Sequence, residues 1–191
     1  MSLFEYLGVL ISVVMGLGIT HLLIGVSKTI HYRNSVRVYW VHSVWTVNVL
    51  VFIVVIWWGM FWWSSLGQWG FYQFLFVVLY AIILFLLASI LYPWELARDF
   101  DFRKHFFRNH RWFFGIQALA WCVDVAETGL KAEAGLREPP QFYMLFVPSL
   151  LILSLIGAVT SNRRYHAFFS IYWLCAILVY LGFTTLARIA A

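Results

Sequence analysis

Six long apolar segments, separated by short polar connections, constrain this chain more than any other feature. They cover residues 3–28, 38–64, 70–93, 111–131, 141–160 and 166–188. A helix of about twenty apolar residues is long enough to cross the hydrocarbon core of a bilayer. Backbone polar groups find no water in lipid, so such segments are expected to be helical. The sequence therefore predicts an all-α fold: a single membrane domain over residues 1–191, built as a bundle of six transmembrane helices.

The composition supports this class and argues against a nucleic-acid partner. The chain is 63% hydrophobic and 11% charged, whereas soluble domains are about half apolar and a quarter charged. The net charge of +5 comes from basic residues in the short connections, where the topology of a membrane protein already accounts for them. We expect lipid as the partner of this surface. The chain resembles small bacterial inner-membrane proteins, which makes that membrane its expected location.

The distribution of basic residues predicts an orientation. Of the 13 Lys and Arg residues, ten lie in or beside the first, third and fifth connections. The other three, Lys131, Arg137 and Arg188, belong to the opposite side. Because Lys and Arg accumulate on the cytoplasmic side of membrane proteins, this bias predicts that connections one, three and five are cytoplasmic. Both termini then lie outside.

The third connection, residues 94–110, has an amphipathic pattern. On a helical wheel its Leu and Phe residues gather on one side, with Arg, Lys and His opposite. Asp99 and Arg103 have the i, i+4 spacing that supports a helix, and so do Asp101 and His105. The segment is predicted to be a helix on the inner leaflet, with its cations on anionic lipid headgroups.

Small residues recur at every fourth position of the first apolar segment: Gly8, Ser12, Gly16 and Thr20. On a helix this spacing places them on one face. In lipid, small side chains let two helix backbones approach closely enough to associate. The stripe predicts close packing against another helix of the chain or against a second copy, with the first helix as the one around which the others pack. A second line on the same helix contains Gly18, His21, Gly25 and Lys28.

Two histidines, His21 and His42, are predicted to lie at a similar depth in the cytoplasmic half. At 1.5 Å per residue each is roughly 7–12 Å from the basic residues at its end of the bundle. Three interpretations remain open: a hydrogen bond to a backbone carbonyl or a neighbouring polar group, a proton-relay or gating site, and a haem or metal site. The second is open because imidazole titrates near physiological pH. The absence of a recurring histidine pattern disfavours haem at His21 and His42, and the absence of HExxH disfavours zinc, so no metal or cofactor is expected.

The outer half carries carboxylates in its fourth segment. Glu127 precedes Lys131 by four residues, the favourable order for an ion pair on a helix. Asp124 lies among apolar neighbours, and a carboxylate inside a membrane segment is a functional candidate. In the fifth segment, Pro148 leaves the carbonyl of Met144 without its helical donor and predicts a bend. The alternatives are an ion pair at a helix end with a proline bend, or a polar pathway.

These features favour transport over catalysis. No nucleophile–base motif, Gly-rich phosphate loop or paired catalytic carboxylates occurs in the sequence. The acids and the histidines are expected at opposite sides of the membrane, which argues against an enzyme. We predict a small channel or transporter for an ion, a proton or a small polar solute, working as a homo-oligomer through a Trp-rich surface of the second helix (Trp57, Trp58, Trp62, Trp63). The alternatives are a membrane sensor or accessory subunit without transport, or a membrane-embedded haem or metal protein or enzyme.

Overall fold

The computed structural model of the chain describes residues 3–97, 99–139 and 142–189, with side chains described only as far as Gly182. Over these ranges the chain forms six α-helices: α1 (Leu3–His31), α2 (Trp40–Gly59), α3 (Phe71–Ser89), α4 (Phe102–Glu133), α5 (Tyr143–Val159) and α6 (Arg163–Ile189). A 3-10 helix, Met60–Ser65, continues α2. The predicted start of the fifth span at residue 141 and the ends of the predicted 1–191 domain lie outside the described residues.

Four of these helices are long and apolar enough to cross a membrane: Leu3–His31, Trp40–Ser65, Phe71–Ser89 and Arg163–Gly182. The all-α class is therefore confirmed, and the chain has the helices of a membrane protein. The other two helices, α4 and α5, are not among these four candidate spans, for different reasons. Helix α5 is apolar but has only 17 residues. Helix α4 has 32 residues, and its second half carries the charges of Asp124, Glu127 and Lys131.

The connections alternate between the two ends of the bundle. Two short parallel strands, β1 (Val36–Arg37) and β2 (Phe100–Asp101), join the α1–α2 connection to the α3–α4 connection. An open groove of about 420 Å³ is lined both by residues around the start of α4 and by residues around the α5–α6 connection, so these two regions lie side by side. We call this the basic end, since it collects the three connections rich in Lys and Arg. At the opposite end, the rings of Phe4 and Trp69 lie 6.1 Å apart, which places the start of α1 beside the α2–α3 connection.

Helix α2 lies at the centre of the bundle. It contacts α1, α3, α4 and α6, whereas α1 packs chiefly on α3. Buried side chains cover a broad surface of α2, including Trp45, Phe52 and Ile53. The prediction that the other helices pack around α1 is therefore wrong. A stripe of small residues marks where backbones can approach, but the volume of buried large side chains decides which helix is surrounded.

The face of α1 that packs inside the bundle carries Gly18 and Gly25, which belong to the second line of residues in the sequence. A Cβ on Gly18 would meet the Phe85 Cα at 3.5 Å, and one on Gly25 would overlap the Tyr92 ring. The predicted stripe Gly8, Ser12, Gly16 and Thr20 faces elsewhere: Ser12 and Thr20 are exposed. No described neighbouring atom lies within 4 Å of a Cβ built on Gly8 or Gly16. Among the described residues this stripe is not a packing surface, so only the contact with a second copy remains as a prediction.

The predicted amphipathic helix over residues 94–110 does not exist as a separate element. The described residues between α3 and β2 are not helical, and α4 begins at Phe102 and continues to Glu133. The Asp101 side chain caps this helix by accepting from the backbone N–H groups of Arg103 and Lys104 at 2.9 and 3.0 Å. These bonds, the one from Lys104 foremost, hold the pKa of the Asp101 carboxyl below its usual value. The apolar side of the segment packs into the core, where Phe102 and Phe106 are buried.

Candidate functional site

A partly enclosed cavity of about 60 Å³ lies between α2, α4, α5 and α6 at the opposite end. A smaller space of about 20 Å³ adjoins it and shares Thr128, Arg137 and Tyr143 with it. Roughly 10–15 Å³ of such space accommodates one water molecule, so the cavity has room for several. Its polar lining combines carboxylates, cations and tyrosines: Asp124, Glu127, Lys131, Arg137, Tyr143 and Tyr180.

Asp124 lines this cavity and is bound by two tyrosine hydroxyls. Tyr80 of α3 donates to its Oδ1 at 3.1 Å, and Tyr143 of α5 donates to its Oδ2 at 2.7 Å. The Asp124 side chain is almost completely buried, at 8% exposure. A buried carboxylate must be hydrogen-bonded or paired, and here two neutral donors supply the bonds. Lys131 pairs with Glu127 instead, and Asp124 faces the cavity.

Glu127 and Lys131 form the predicted i, i+4 ion pair, and both are buried. Trp63 donates its indole N–H to Glu127 Oε1 at 2.8 Å, and Lys131 Nζ donates to the Gly59 carbonyl at 2.7 Å. Both charges therefore carry hydrogen bonds besides the pair itself, which a buried ion pair requires. Trp63 belongs to the core and not to the predicted Trp-rich surface, of which Trp57 and Trp58 are exposed.

Arg137 stands beside the ion pair in the α4–α5 connection. Its guanidinium lies 4.4 Å from the centre of the Trp62 ring, and its Nη2 donates to the Tyr180 hydroxyl at 3.0 Å. The cavity thus holds three kinds of charged group: the Glu127–Lys131 pair, the Arg137 guanidinium, and Asp124, whose hydrogen-bond partners among the described residues are neutral. A positive group that shares a cavity with a carboxylate repels incoming cations at short range.

Helix periodicity brings these groups together. His110, Gln117, Asp124 and Lys131 are spaced by seven residues, so they lie close to one face of α4. All four are buried. The sequence predicted the Glu127–Lys131 pair and singled out Asp124 on this helix. It did not reveal Tyr80, Tyr143 or Trp63, since a partner from another helix leaves no spacing signal beside Asp124 or Glu127.

The histidines at the basic end bind backbone carbonyls. His105, His42 and His21 each place Nε2 on a carbonyl of the segment that follows α3: Ile90 at 3.2 Å, Leu91 at 2.8 Å and Tyr92 at 3.1 Å, respectively. His21 and His42 are therefore neighbours at one level, and both make the carbonyl bonds of the first interpretation. His105 and His110, although they lie at the start of α4 near the connection, are also buried against the bundle.

The remaining candidates from the sequence are the proline in α5 and a metal site. Pro148 lies inside α5, which continues past it to Val159, so the proline does not end the helix and the bend remains a prediction. Among the described residues, no group of three or more His, Cys, Asp or Glu side chains has an arrangement suited to a metal ion.

Comparisons with protein-family models, with curated proteins and with solved structures found no match to this chain. No function can therefore be transferred from a relative. The site has to be interpreted from its own geometry, and the cavity at Asp124 is the place where that geometry is most informative.

Proposed function

We propose that this protein is a small membrane channel or transporter in which the cavity at Asp124 receives a proton, an ion or a small polar solute. The observation that supports the proposal is the position of Asp124, which faces a water-sized cavity and has tyrosine hydroxyls as partners. Ionisable side chains inside membrane helices usually face such cavities where they serve an ion or proton pathway. A purely structural carboxylate would be expected to pair with the nearby Lys131, which pairs with Glu127 instead.

The proposal includes all six helices as membrane spans, with both termini outside and the basic end in the cytoplasm of a bacterium. The charges of α4 do not oppose this, because Asp124, Glu127 and Lys131 are buried among helices and not exposed to lipid. The 17 residues of α5 extend about 25 Å, slightly less than the thickness of the hydrocarbon core. A bilayer adjusts to such a mismatch at modest cost. The cavity would then open on the outside.

Among the possible solutes, the cavity favours the proton. Its volume suits water molecules, and a proton moves between water, hydroxyl and carboxylate oxygens without needing a wide pore. The two cations of the lining balance its two carboxylates, so the cavity has no excess negative charge to hold a metal cation. We therefore propose proton conduction as the primary activity, with Asp124 as the group that accepts the proton from the outside.

The surface supports two further elements of the proposal. On α1 the Gly8, Ser12, Gly16 and Thr20 stripe is uncovered and suits close contact with a second copy of the chain. At the basic end, Arg103, Lys104 and Arg163 line the open groove and suit anionic lipid headgroups. Homo-oligomerisation and this lipid preference are parts of the proposal that can fail without affecting the cavity.

The proposal is tested by proton flux into liposomes that contain the purified protein and an enclosed pH-sensitive dye. Asp124→Asn keeps the size of the side chain and one acceptor oxygen, and its amide can donate to the second tyrosine hydroxyl, so the fold should survive while flux falls at least tenfold. Glu133→Gln is the matched control, since Glu133 is an exposed carboxylate on the same helix. Wild-type flux in Asp124→Asn would refute the pathway. No flux above empty liposomes in the wild type would favour the accessory-subunit alternative.

A further inference from the structure

The described part of the bundle contains a group of buried polar atoms that have no hydrogen-bond partner in the protein. Eight such side-chain atoms occur among the described residues, and all but that of Trp69 belong to α2, α4 and α6. These seven are Trp45 Nε1, Asn48 Oδ1, His110 Nε2, Gln117 Nε2, Trp121 Nε1, His166 Nδ1 and Trp173 Nε1. Buried polar atoms in native proteins nearly always have a partner, so a concentration of exceptions in one place calls for an explanation.

The residues that carry these atoms form a continuous seam. It starts at Trp121, which lines the cavity next to Asp124. The Trp121 ring lies 6.3 Å from that of Trp173, which lies 6.4 Å from that of Trp45. Beyond them, Phe114 lies 5.2 Å from Trp45 and 5.1 Å from His166, whose ring is 5.7 Å from that of His110. The seam therefore connects the cavity with two histidines near the basic end.

Asn48 and Gln117 supply the polar groups in the middle of this seam. Asn48 donates its amide to the Ser170 carbonyl at 2.9 Å, which leaves its Oδ1 as the unpartnered atom. Gln117 Oε1 lies 3.2 Å from the Ser154 hydroxyl, whose one proton also reaches the Leu150 carbonyl at 2.7 Å, and Gln117 Nε2 is unpartnered. Gln117 lies seven residues from both His110 and Asp124, so each interval along α4 is about 10.5 Å. Such intervals are too long for direct proton transfer and require intermediate carriers.

The carbonyl bonds of the two histidines define which nitrogen is free. His110 Nδ1 lies 2.7 Å from the Phe107 carbonyl, so it must carry the proton that makes this bond. In the neutral ring Nε2 then has a lone pair. His166 Nε2 likewise bonds the Thr160 carbonyl at 2.9 Å, which leaves the lone pair on Nδ1. The unpartnered set thus contains acceptors on His110, His166 and Asn48, and donors on Gln117 and the three indoles.

Water is the ligand that satisfies both kinds of group, since each molecule donates and accepts. We propose that a file of bound water fills this seam and carries protons between the cavity at Asp124 and the His110–His166 pair. A proton arriving at His110 Nε2 or His166 Nδ1 forms an imidazolium, and release of the same proton to the next water restores the neutral ring. This inference rests on the proposed function and specifies its inner half.

The test removes the two free nitrogens and keeps the carbonyl bonds. In His110→Asn the amide can replace Nδ1, and in His166→Gln it can replace Nε2, so both variants retain a donor for Phe107 or Thr160. We expect the double variant to fold and to lose at least tenfold in liposome proton flux. His31→Gln is the control, because His31 is exposed at the basic end. If flux depends on Asp124 but not on His110 and His166, the seam is refuted and the proposed function stands. If flux does not depend on Asp124, the proposed function itself is refuted.

A second measurement does not depend on flux or on the histidine variants. The indole N–H protons of Trp45 and Trp173 can be followed by NMR of the wild-type protein in detergent after transfer to deuterated water. A hydrated seam should let these protons exchange at least tenfold faster than the helical backbone amides beside them on α2 and α6. Indole protons as protected as those amides would show a dry seam and overturn the inference.

Discussion

The two ends of the bundle treat ionisable side chains differently. At the basic end, His21, His42 and His105 each bind a fixed carbonyl of the segment after α3, so each imidazole works as a clamp between helices. At the opposite end, Asp124 binds two hydroxyls that can rotate, and it borders a cavity. Both ends bury polar groups at positions that the sequence marks as exceptional. The comparison teaches that burial alone does not make an ionisable residue a functional candidate. A buried ionisable residue becomes one when it also borders a cavity that can hold water.

The largest loss of stability is expected when the Glu127–Lys131 ion pair at the opposite end is broken. Lys131→Met leaves the Glu127 carboxylate buried without its cation and should destabilise the protein by about 3–5 kcal/mol. Adding Glu127→Gln removes the uncompensated charge and should restore most of that loss. Thermal or denaturant unfolding in detergent measures both variants. Equal stability of Lys131→Met and the wild type would show that the pair is solvated in the folded protein.

The next largest loss of stability is expected on one of the two faces of α1 that carry glycine, the face that contains Gly25. Gly25→Leu must displace the Tyr92 ring and with it the carbonyl that His21 binds, so a loss of about 1–3 kcal/mol or more is expected. Gly16→Leu has open space within the chain and should leave the unfolding transition of the monomer unchanged.

Size-exclusion chromatography with light scattering separates the two roles of α1. If the uncovered stripe joins two copies, Gly16→Leu should lower the oligomeric mass without lowering monomer stability. A Gly16→Leu protein that is as destabilised as Gly25→Leu would contradict the described packing of α1.

The smallest effect is expected for a single histidine clamp. His42→Ala leaves the Leu91 carbonyl buried without a donor, which should cost about 1–3 kcal/mol of stability. His42→Gln retains an N–H donor and should recover part of it. Proton flux per folded molecule should be the same in both variants and in the wild type. Lost flux in a stable His42→Gln protein would make His42 part of the pathway and would remove its contrast with Asp124.

The helices of the fold can be predicted from the sequence because length and hydropathy are read within each segment. The apolar segments predict all six helices, with ends that differ from the observed ones by a few residues in most cases, since length and hydropathy are properties of each segment alone. The exception is the 94–110 segment. Its amphipathic pattern is real, but Asp101 caps a helix that continues into the fourth apolar segment, and Phe106 packs into the core. An apolar face indicates that a segment needs cover and does not reveal whether lipid or protein provides it.

For the candidate site, the sequence by itself determined the face of α4 that carries Asp124, Glu127 and Lys131, because helix periodicity sets which residues share a side. It also determined the Glu127–Lys131 pair, whose partners lie one turn apart. Only the tertiary structure decided that Tyr80 and Tyr143 bind Asp124, that α2 occupies the centre, and that the cavity lies where it does. These features depend on residues from separate helices, whose relative positions are set by how large side chains fill the shared interior. No spacing along one segment encodes that arrangement.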